Sequence, residues 1–282
     1  MNQLLLCSDL DRTLIPNGSA PESAQARPLF NHLATHPELR LTYVTGRDKR
    51  LVAQAIEAFN LPDPEFVIGD VGTTLYHRLG GQWISNERWQ KRIGRDWQGC
   101  SHEDITSWLH DIETDGFRLQ PPEKQNRFKI SYFTEPSIDP QSLKKRITEI
   151  LDHHGVAANL IWSLDEADQR GLLDVLPVRA NKLEAIRFLM AEEKVDESRV
   201  VFAGDSGNDL DVLASGLKAI LVNNAAADIE QLALDKLSSK GVADRFYKAQ
   251  GGWRGMNGNY AAGVLEGVVH FFPETAEWLQ SF

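Results

Sequence analysis

"QLLLCSDLDRT" (Gln3–Thr13) is the stretch on which the fold turns. Leu4, Leu5, Leu6 and Cys7 form a short unbroken apolar run, the pattern of a strand buried on both faces. The run stops at two carboxylates one residue apart, Asp9 and Asp11, followed by a hydroxyl at Thr13. Asp and Thr at a strand end also serve turns and helix caps. What separates the two readings is whether other strands end in partner groups.

Downstream, strand and helix alternate. "RLTYVTG" reads as a second strand ending at Thr45 and Gly46, and "EFVIGDVG" as a third that breaks at Gly69 and Gly72. Between them lie the helical spacings of "ESAQARPLFNHLAT", where Pro28 marks a boundary or kink, and "DKRLVAQAIEAF". Such alternation means parallel pairing with right-handed crossovers. From about Gly80 to Arg170 the rhythm is lost. This stretch holds Trp83, Trp89, Trp97, Trp108 and Trp162, helical segments such as "HEDITSWLHDI" and an alternating "NRFKISYF". From Leu172 the first rhythm returns with "GLLDVLP", "NKLEAIRFLMAEE", "RVVFAGD" and "LKAILVNN". The expectation is an α/β fold: a Rossmann-like parallel sheet core over 1–80 and 172–282, with an α+β cap inserted over 81–171. The glycine-rich "QGGWRGMNGN" (Gln250–Asn259) is expected to be a loop.

Composition bounds the function. The chain has 282 residues, 42% apolar and 25% charged, which is an ordinary globular profile. Its net charge of −10 argues against nucleic acid as a partner. No apolar run reaches the length of a membrane span, and the N-terminus lacks a signal-peptide pattern, so a cytoplasmic enzyme is expected. Two cysteines, Cys7 and Cys100, make no disulfide framework.

The strand ends form a set. The first ends in Asp9, Asp11 and Thr13, the second in Thr45, Gly46 and Arg47, and "RVVFAGD" in Asp205, with Ser206, Asn208 and Asp209 following. Ligands of open parallel sheets bind outside the carboxyl ends of the strands, so these acids should converge. Left alone they repel one another and raise their own pKa values. A hard divalent cation such as Mg²⁺, which prefers oxygen ligands and tolerates phosphate, removes that conflict. Lys182, which opens the helix after "LLDVLP", is placed to balance phosphate charge.

Taken together, Asp9-Leu-Asp11-Arg-Thr13, Thr45-Gly46-Arg47, Lys182 and "GDSGND" (Gly204–Asp209) resemble the four motifs of the haloacid dehalogenase (HAD) superfamily of phosphatases. The insert is similar to a type II cap. Within the superfamily the chain most resembles the sucrose-phosphate phosphatases, through "LLLCSDLDRT", "GDVGTTLYH", "FKISYF", "LLDVLPVRANK", "FAGDSGNDLDVL" and "AAGVLEGVVHF". The resemblance implies that Asp9 is the nucleophile forming an aspartyl-phosphate, and Asp11 the acid and then the base. It implies Mg²⁺ on Asp9, Asp205 and the Asp11 carbonyl. Asp209, Asn208 and Ser206 support that shell, with Asp209 also able to orient Lys182. Thr45 and Lys182 act on the transferring phosphoryl group, with Gly46 and Arg47 beside them, and Thr13 supports the loop that aims the aspartates.

The cap is expected to select the sugar, through Gln125, Asn126, Lys129 and Tyr132. The tryptophans are expected mostly to pack that domain. The implied reaction is hydrolysis of sucrose 6-phosphate in sucrose biosynthesis, with another glycoside phosphate such as mannosylfructose phosphate as the alternative. Phosphomannomutase-like transfer and a non-catalytic sugar-phosphate sensor are further alternatives. The intact pair Asp9 and Asp11 counts against the sensor. A small-molecule sugar phosphate is the expected partner, with a monomeric state and association with a sugar-phosphate synthase as further expectations.

Overall fold

A computed structural model describes residues 3–110, 112, 116–165 and 168–280. In chain order the elements are β1 (Leu4–Ser8), α1 (Ala26–Ala34), β2 (Leu39–Val44), α2 (Lys49–Phe59), β3 (Phe66–Gly69), β4 (Thr74–Leu79) and β5 (Gln82–Ser85). Next come α3 (Glu87–Gly94), α4 (His102–Leu109), β6 (Arg118–Leu119), β7 (Ile130–Thr134), α5 (Pro140–His153), β8 (Ala158–Asp165) and β9 (Arg170–Pro177). The last are α6 (Lys182–Glu193), β10 (Val200–Gly204), α7 (Leu210–Leu213), β11 (Lys218–Leu221), α8 (Ala227–Lys240), β12 (Phe246–Lys248), α9 (Ala261–Phe271) and α10 (Thr275–Trp278). They form two compact units. One takes the chain up to Ser85 and again from Lys182; the other is Asn86–Asn181.

The first unit is built on an eight-stranded sheet of order β12-β11-β10-β1-β2-β3-β4-β5. Strands β12 to β3 are parallel, and β4 and β5 continue the sheet antiparallel. The apolar run that opens the chain becomes the central strand β1, buried along its whole length. Ser8 lies beside Ala203 of β10 and Tyr43 of β2, so the three strands finish at nearly the same level. That register carries Asp9, Asp205 and Thr45 to one edge of the sheet. Helix α1 buries Ala26, Leu29, Phe30 and Leu33, the spacing of a single helical face. Pro28 sits in its first turn, where the missing N–H has no intrahelical partner, so it neither bounds nor breaks the helix. Cys7 is fully buried, and burial pushes its thiol up to about 12, which leaves it an inert apolar residue.

The second unit is a four-stranded antiparallel sheet of order β6-β7-β9-β8 with α3, α4 and α5. Trp89 and Trp97 are buried in it, as packing residues. Three sequence expectations change. "GLLDVLP" does not return to the parallel core: as β9 it pairs with both β7 and β8. Conversely, residues 82–85, including Trp83, belong to the core sheet as β5. The limits of the insert therefore shift from 81–171 to 86–181. Of the helical "HEDITSWLHDI", α4 takes His102–Leu109, and Asp111 lies outside the described residues.

Candidate active site

The site grows from the ends of β1, β2 and β10. Asp9 follows β1 and is fixed by its own N–H, which donates to the Ala203 carbonyl of β10 at 2.9 Å. Thr45 follows β2, buried, with its N–H on the Ile68 carbonyl. Asp205 follows β10 and is 2% exposed. A 3-10 turn at Gly207–Asp209 then folds Asp209 back beneath the strand end. A Cβ on Gly204 would lie 2.7 Å from the Asp209 carboxylate carbon, so this close return requires glycine there.

Lys182 is the keystone. It is the first residue of α6, yet it is only 3% exposed. Its Nζ donates to Asp9 Oδ1 at 2.9 Å and to Asp209 Oδ1 at 2.7 Å, with Asn208 Oδ1 at 3.3 Å. The other Asp209 oxygen accepts the backbone N–H groups of Asp205 and Ser206 at 3.1 and 3.3 Å. Asp209 is thus fully engaged in holding Lys182 and the strand end. Ser206 Oγ donates to Asn208 Oδ1 at 3.0 Å.

Asp9, Asp205 and Asp209 have oxygens within 4.8 Å of one another. Burial drives the Asp9 carboxyl above the ordinary carboxylate range against the pull of Lys182, with Asp209 adding to the rise. Burial and Asp209 push Asp205 up to about 6. Lys182 shows the converse: burial would lower it, but Asp209 and Asp9 hold it above the ordinary lysine value. One buried cation faces three buried carboxylates. Among the described residues Asp205 Oδ2 accepts no hydrogen bond, and the half-exposed Arg12 Nε approaches it at 3.3 Å. An orphaned carboxylate oxygen inside an oxygen-only, negatively charged cluster fits a hard divalent cation.

Asp11 lies in a different environment. Arg47 grips it with two charge-assisted bonds, Nη2 to Oδ1 at 2.6 Å and Nε to Oδ2 at 2.8 Å. Burial alone would raise the Asp11 carboxyl, but Arg47 and Asn17 outweigh it and hold it below the usual value. Two carboxylates two residues apart are therefore pushed in opposite directions. A cleft of about 310 Å³ is lined by Asp9, Asp11, Arg12, Gly46, Arg47, Leu51, Asp205, Ser206 and Asn208. Thr45, Lys182 and Asp209 are buried behind it. Thr13, fully buried, reaches Asp9 Oδ2 with its hydroxyl at 3.4 Å.

Arg12, Asn17 and Leu51 belong to the site beyond the residues expected from the sequence. Arg12 stands between Asp11 and Thr13 of the first motif, whereas Asn17 and Leu51 carry no local signal.

In the second unit, the residues expected to meet the sugar are tied to their own neighbours. Gln125 donates through Nε2 to the carbonyls of Gln120 and Ser131, and its Oε1 accepts the Ser131 N–H. Asn126 Oδ1 accepts the Phe128 N–H, and Asn126 and Lys129 form an isolated bridge. Lys129 is 9% exposed. Tyr132 is buried against Phe117, with ring centroids 4.3 Å apart, and its hydroxyl has no hydrogen-bond partner among the described residues.

The model of the sucrose-6F-phosphate phosphohydrolase family matches residues 2–272. A HAD-like hydrolase of Nitrosococcus oceani is 52% identical over 279 residues, 99% of this chain and 74% of that protein. The mannosylfructose-phosphate phosphatase of Agrobacterium fabrum is 25% identical over 270 residues, 95% of this chain and 96% of that protein. Some relatives are longer, and the chain spans 31% and 52% of two of them. Among solved structures, sucrose-phosphatase from Synechocystis sp., in complex with sucrose and phosphate, matches with a TM-score of 0.71 at 25% identity. The match covers 96% of this chain and 98% of that one. Among the described residues no helix is long and apolar enough to cross a membrane.

Proposed function

We propose that this chain, which belongs to the sucrose-6F-phosphate phosphohydrolase family of HAD-like sugar-phosphate phosphatases, hydrolyses sucrose 6-phosphate to sucrose and phosphate. The observation that carries the chemistry is the buried Lys182 bridging Asp9 and Asp209 beside the orphaned oxygen of Asp205. Asp9 attacks phosphorus and the bond from phosphorus to the sugar oxygen breaks, leaving an aspartyl-phosphate. Asp11 gives its proton to the departing sugar oxygen. It then takes a proton from the water that attacks the aspartyl-phosphate, which frees phosphate and returns Asp9. Thr45 donates to the phosphoryl group, and Lys182 offsets its charge where that charge is greatest. Arg47 favours the ionised Asp11 needed for the second step. A phosphate dianion entering the cleft adds negative charge beside Asp11, which favours the protonated Asp11 needed for the first.

Asp9, Asp205 and the Asp11 carbonyl would hold Mg²⁺, with Ser206, Asn208 and Asp209 in support. When bound, the ion supplies the positive charge that lets a phosphate dianion lie among these carboxylates. Mg²⁺ is expected to stabilise the protein more at pH 7.5 than at pH 5.5. The folded-state carboxyl of Asp205 is raised to about 6. The metal-free protein therefore loses stability as pH rises through that value, and the ion restores it. At a hundredfold excess over Kd the gain is about 2.7 kcal/mol, or very roughly 5–10 °C in Tm. Thermal melts with and without Mg²⁺ at the two pH values check this. An equal shift at both would place the ion away from Asp205.

The substrate reading is supported by the family and by the sucrose-bound structural relative. The mannosylfructose-phosphate phosphatase, at the same 25% identity, supports mannosylfructose phosphate as the second reading. Sucrose 6-phosphate is expected to exceed fructose 6-phosphate and glucose 6-phosphate by about tenfold or more in kcat/KM, since a second ring supplies remote binding energy. Phosphate release across a panel holding both disaccharide phosphates and the two hexose phosphates is the test. Equal rates on monosaccharide and disaccharide esters would overturn the substrate and leave the phosphatase chemistry standing. Transfer of the phosphoryl group to a second sugar, without phosphate release, would replace hydrolysis by mutase chemistry.

A further inference from the structure

Asn17 lies six residues beyond Asp11, exposed, in the loop that leaves the first motif. Its side chain works with both hands. Oδ1 accepts the backbone N–H of Arg12 at 2.8 Å, and Nδ2 donates to Asp11 Oδ1 at 2.7 Å. The first bond fixes which way the amide faces: the oxygen must turn to Arg12, so the nitrogen must turn to Asp11.

That bond changes what Asp11 can do. A carboxylate oxygen offers two lone-pair directions. Asp11 Oδ1 already accepts from Arg47 Nη2 at 2.6 Å, and Asn17 takes the second place. Among the described residues Oδ2 accepts from Arg47 Nε alone. The arrangement leaves Oδ2 as the oxygen with a direction open for a proton. It also stops the carboxylate from rotating to exchange its two oxygens.

The loop bearing Asn17 is itself anchored from the far end of the chain. Tyr260, buried at the start of α9, donates its hydroxyl to the Ala20 carbonyl at 3.1 Å. The same hydroxyl lies 2.9 Å from where a Cβ on Gly18 would stand, so residue 18 must be small for the loop to close on it. Asn257 and Asn259 both donate to the Pro21 carbonyl, at 2.8 and 3.0 Å. Asn224 links the two sides, donating to the Arg12 carbonyl at 2.7 Å and accepting the Tyr260 N–H at 2.8 Å. The C-terminal half of the glycine-rich stretch 250–259 is thus a brace behind the first motif. Tyr260 holds φ +51°, a strained value for an aromatic residue, which the surrounding bonds maintain.

We propose that Asn17 is a positioning residue for the acid–base carboxylate: held by the Tyr260 brace, it pins Asp11 Oδ1 and assigns the transferred proton to Oδ2. This rests on the reading of Asp11 as acid and base.

The test exploits the leaving group. A sugar alkoxide must be protonated as it departs, whereas p-nitrophenolate leaves unaided, so in the transfer to Asp9, the step that kcat/KM reports, only the sugar ester depends on an aimed Asp11. With the Mg²⁺-loaded full chain, kcat/KM is measured on glucose 6-phosphate and on p-nitrophenyl phosphate. Asn17→Ala is expected to lose about tenfold or more on the sugar ester, the size of a hydrogen bond to a charged group, and less than about threefold on the aryl ester. Asn17→Asp keeps the acceptor for Arg12 N–H but replaces the donor with a second carboxylate, so it should show the same selective loss with the loop intact. Asp11→Asn sets the scale. If it loses selectively on the sugar ester while both Asn17 variants lose equally on the two esters, or on neither, the positioning role is overturned and the acid–base reading stands. If Asp11→Asn itself loses equally on both, the acid–base reading fails and takes this inference with it.

Discussion

The Asp9→Asn variant is expected to lose phosphatase turnover by roughly 10⁴-fold or more, as removal of a nucleophile does, while its thermal stability stays level or rises. The first half follows from chemistry: an amide cannot form the acyl phosphate. The second follows from the electrostatics of the site. Burial outweighs the pull of Lys182, so the Asp9 carboxyl is raised above the ordinary range. An ionised Asp9 is therefore a net strain on the folded, metal-free protein near neutral pH, and the amide removes it. Lys182 keeps Asp209 as a partner at 2.7 Å, so no buried cation is stranded. Phosphate release and a melt in chelator are the paired measurements. Loss of activity together with a fall in Tm of many degrees would mean that Asp9 is structural. Substantial residual turnover would remove it as nucleophile. The pairing matters because most core substitutions that abolish activity also destabilise.

Much of this site was legible in the sequence because its parts sit where local patterns end. An apolar run that stops at Asp9, Thr45 or Asp205 marks a strand end whatever the partners are, and a parallel sheet brings such ends together. Lys182 was legible as the opening of a helix, but not as a buried bridge, since nothing local says where its Nζ goes. The brace through Asn17, Asn224 and Tyr260 was illegible for the same reason: each bond joins residues up to 240 positions apart or depends on one loop's course. The assignment of β9 fails differently. "GLLDVLP" is a sound strand, but an apolar run says nothing of which sheet it joins, and its neighbours are the antiparallel β7 and β8. Gln125 shows a third kind of limit. A polar side chain before an alternating strand reads as a sugar ligand, but nothing local shows that its amide bonds the backbone of Gln120 and Ser131 in place of strand pairing.

Lys182→Met is expected to be the most damaging substitution for the fold among the site residues. The methionine has similar length and fills the same buried space, so packing is largely kept. What disappears is the one buried positive charge between Asp9 and Asp209. Removing one partner of a buried ion pair leaves an uncompensated charge, at a cost of about 3–5 kcal/mol. The cost has a defined pH dependence. Without Lys182, nothing opposes the burial and mutual repulsion that raise the pKa values of the stranded carboxylates, so the folded state binds protons more tightly than the unfolded one. The deficit should then be largest above the raised folded-state values and shrink as pH falls toward the ordinary carboxylate range, because protonation removes the charges that lack a partner. Mg²⁺ should restore part of the stability at neutral pH, since it supplies positive charge to Asp9 and Asp205. It cannot restore turnover, because the charge facing the transferring phosphoryl group is gone, and activity should fall about 10²–10³-fold, the range seen for single preorganised donors. Denaturant melts at pH 5 and pH 8, each with chelator and with Mg²⁺, measure the four values. A deficit independent of pH and of Mg²⁺ would trace the damage to packing and remove the charge argument. A Lys182→Arg variant sharpens the comparison: it returns the charge but not the point geometry that meets two carboxylates at 2.9 and 2.7 Å, so stability should recover further than activity does.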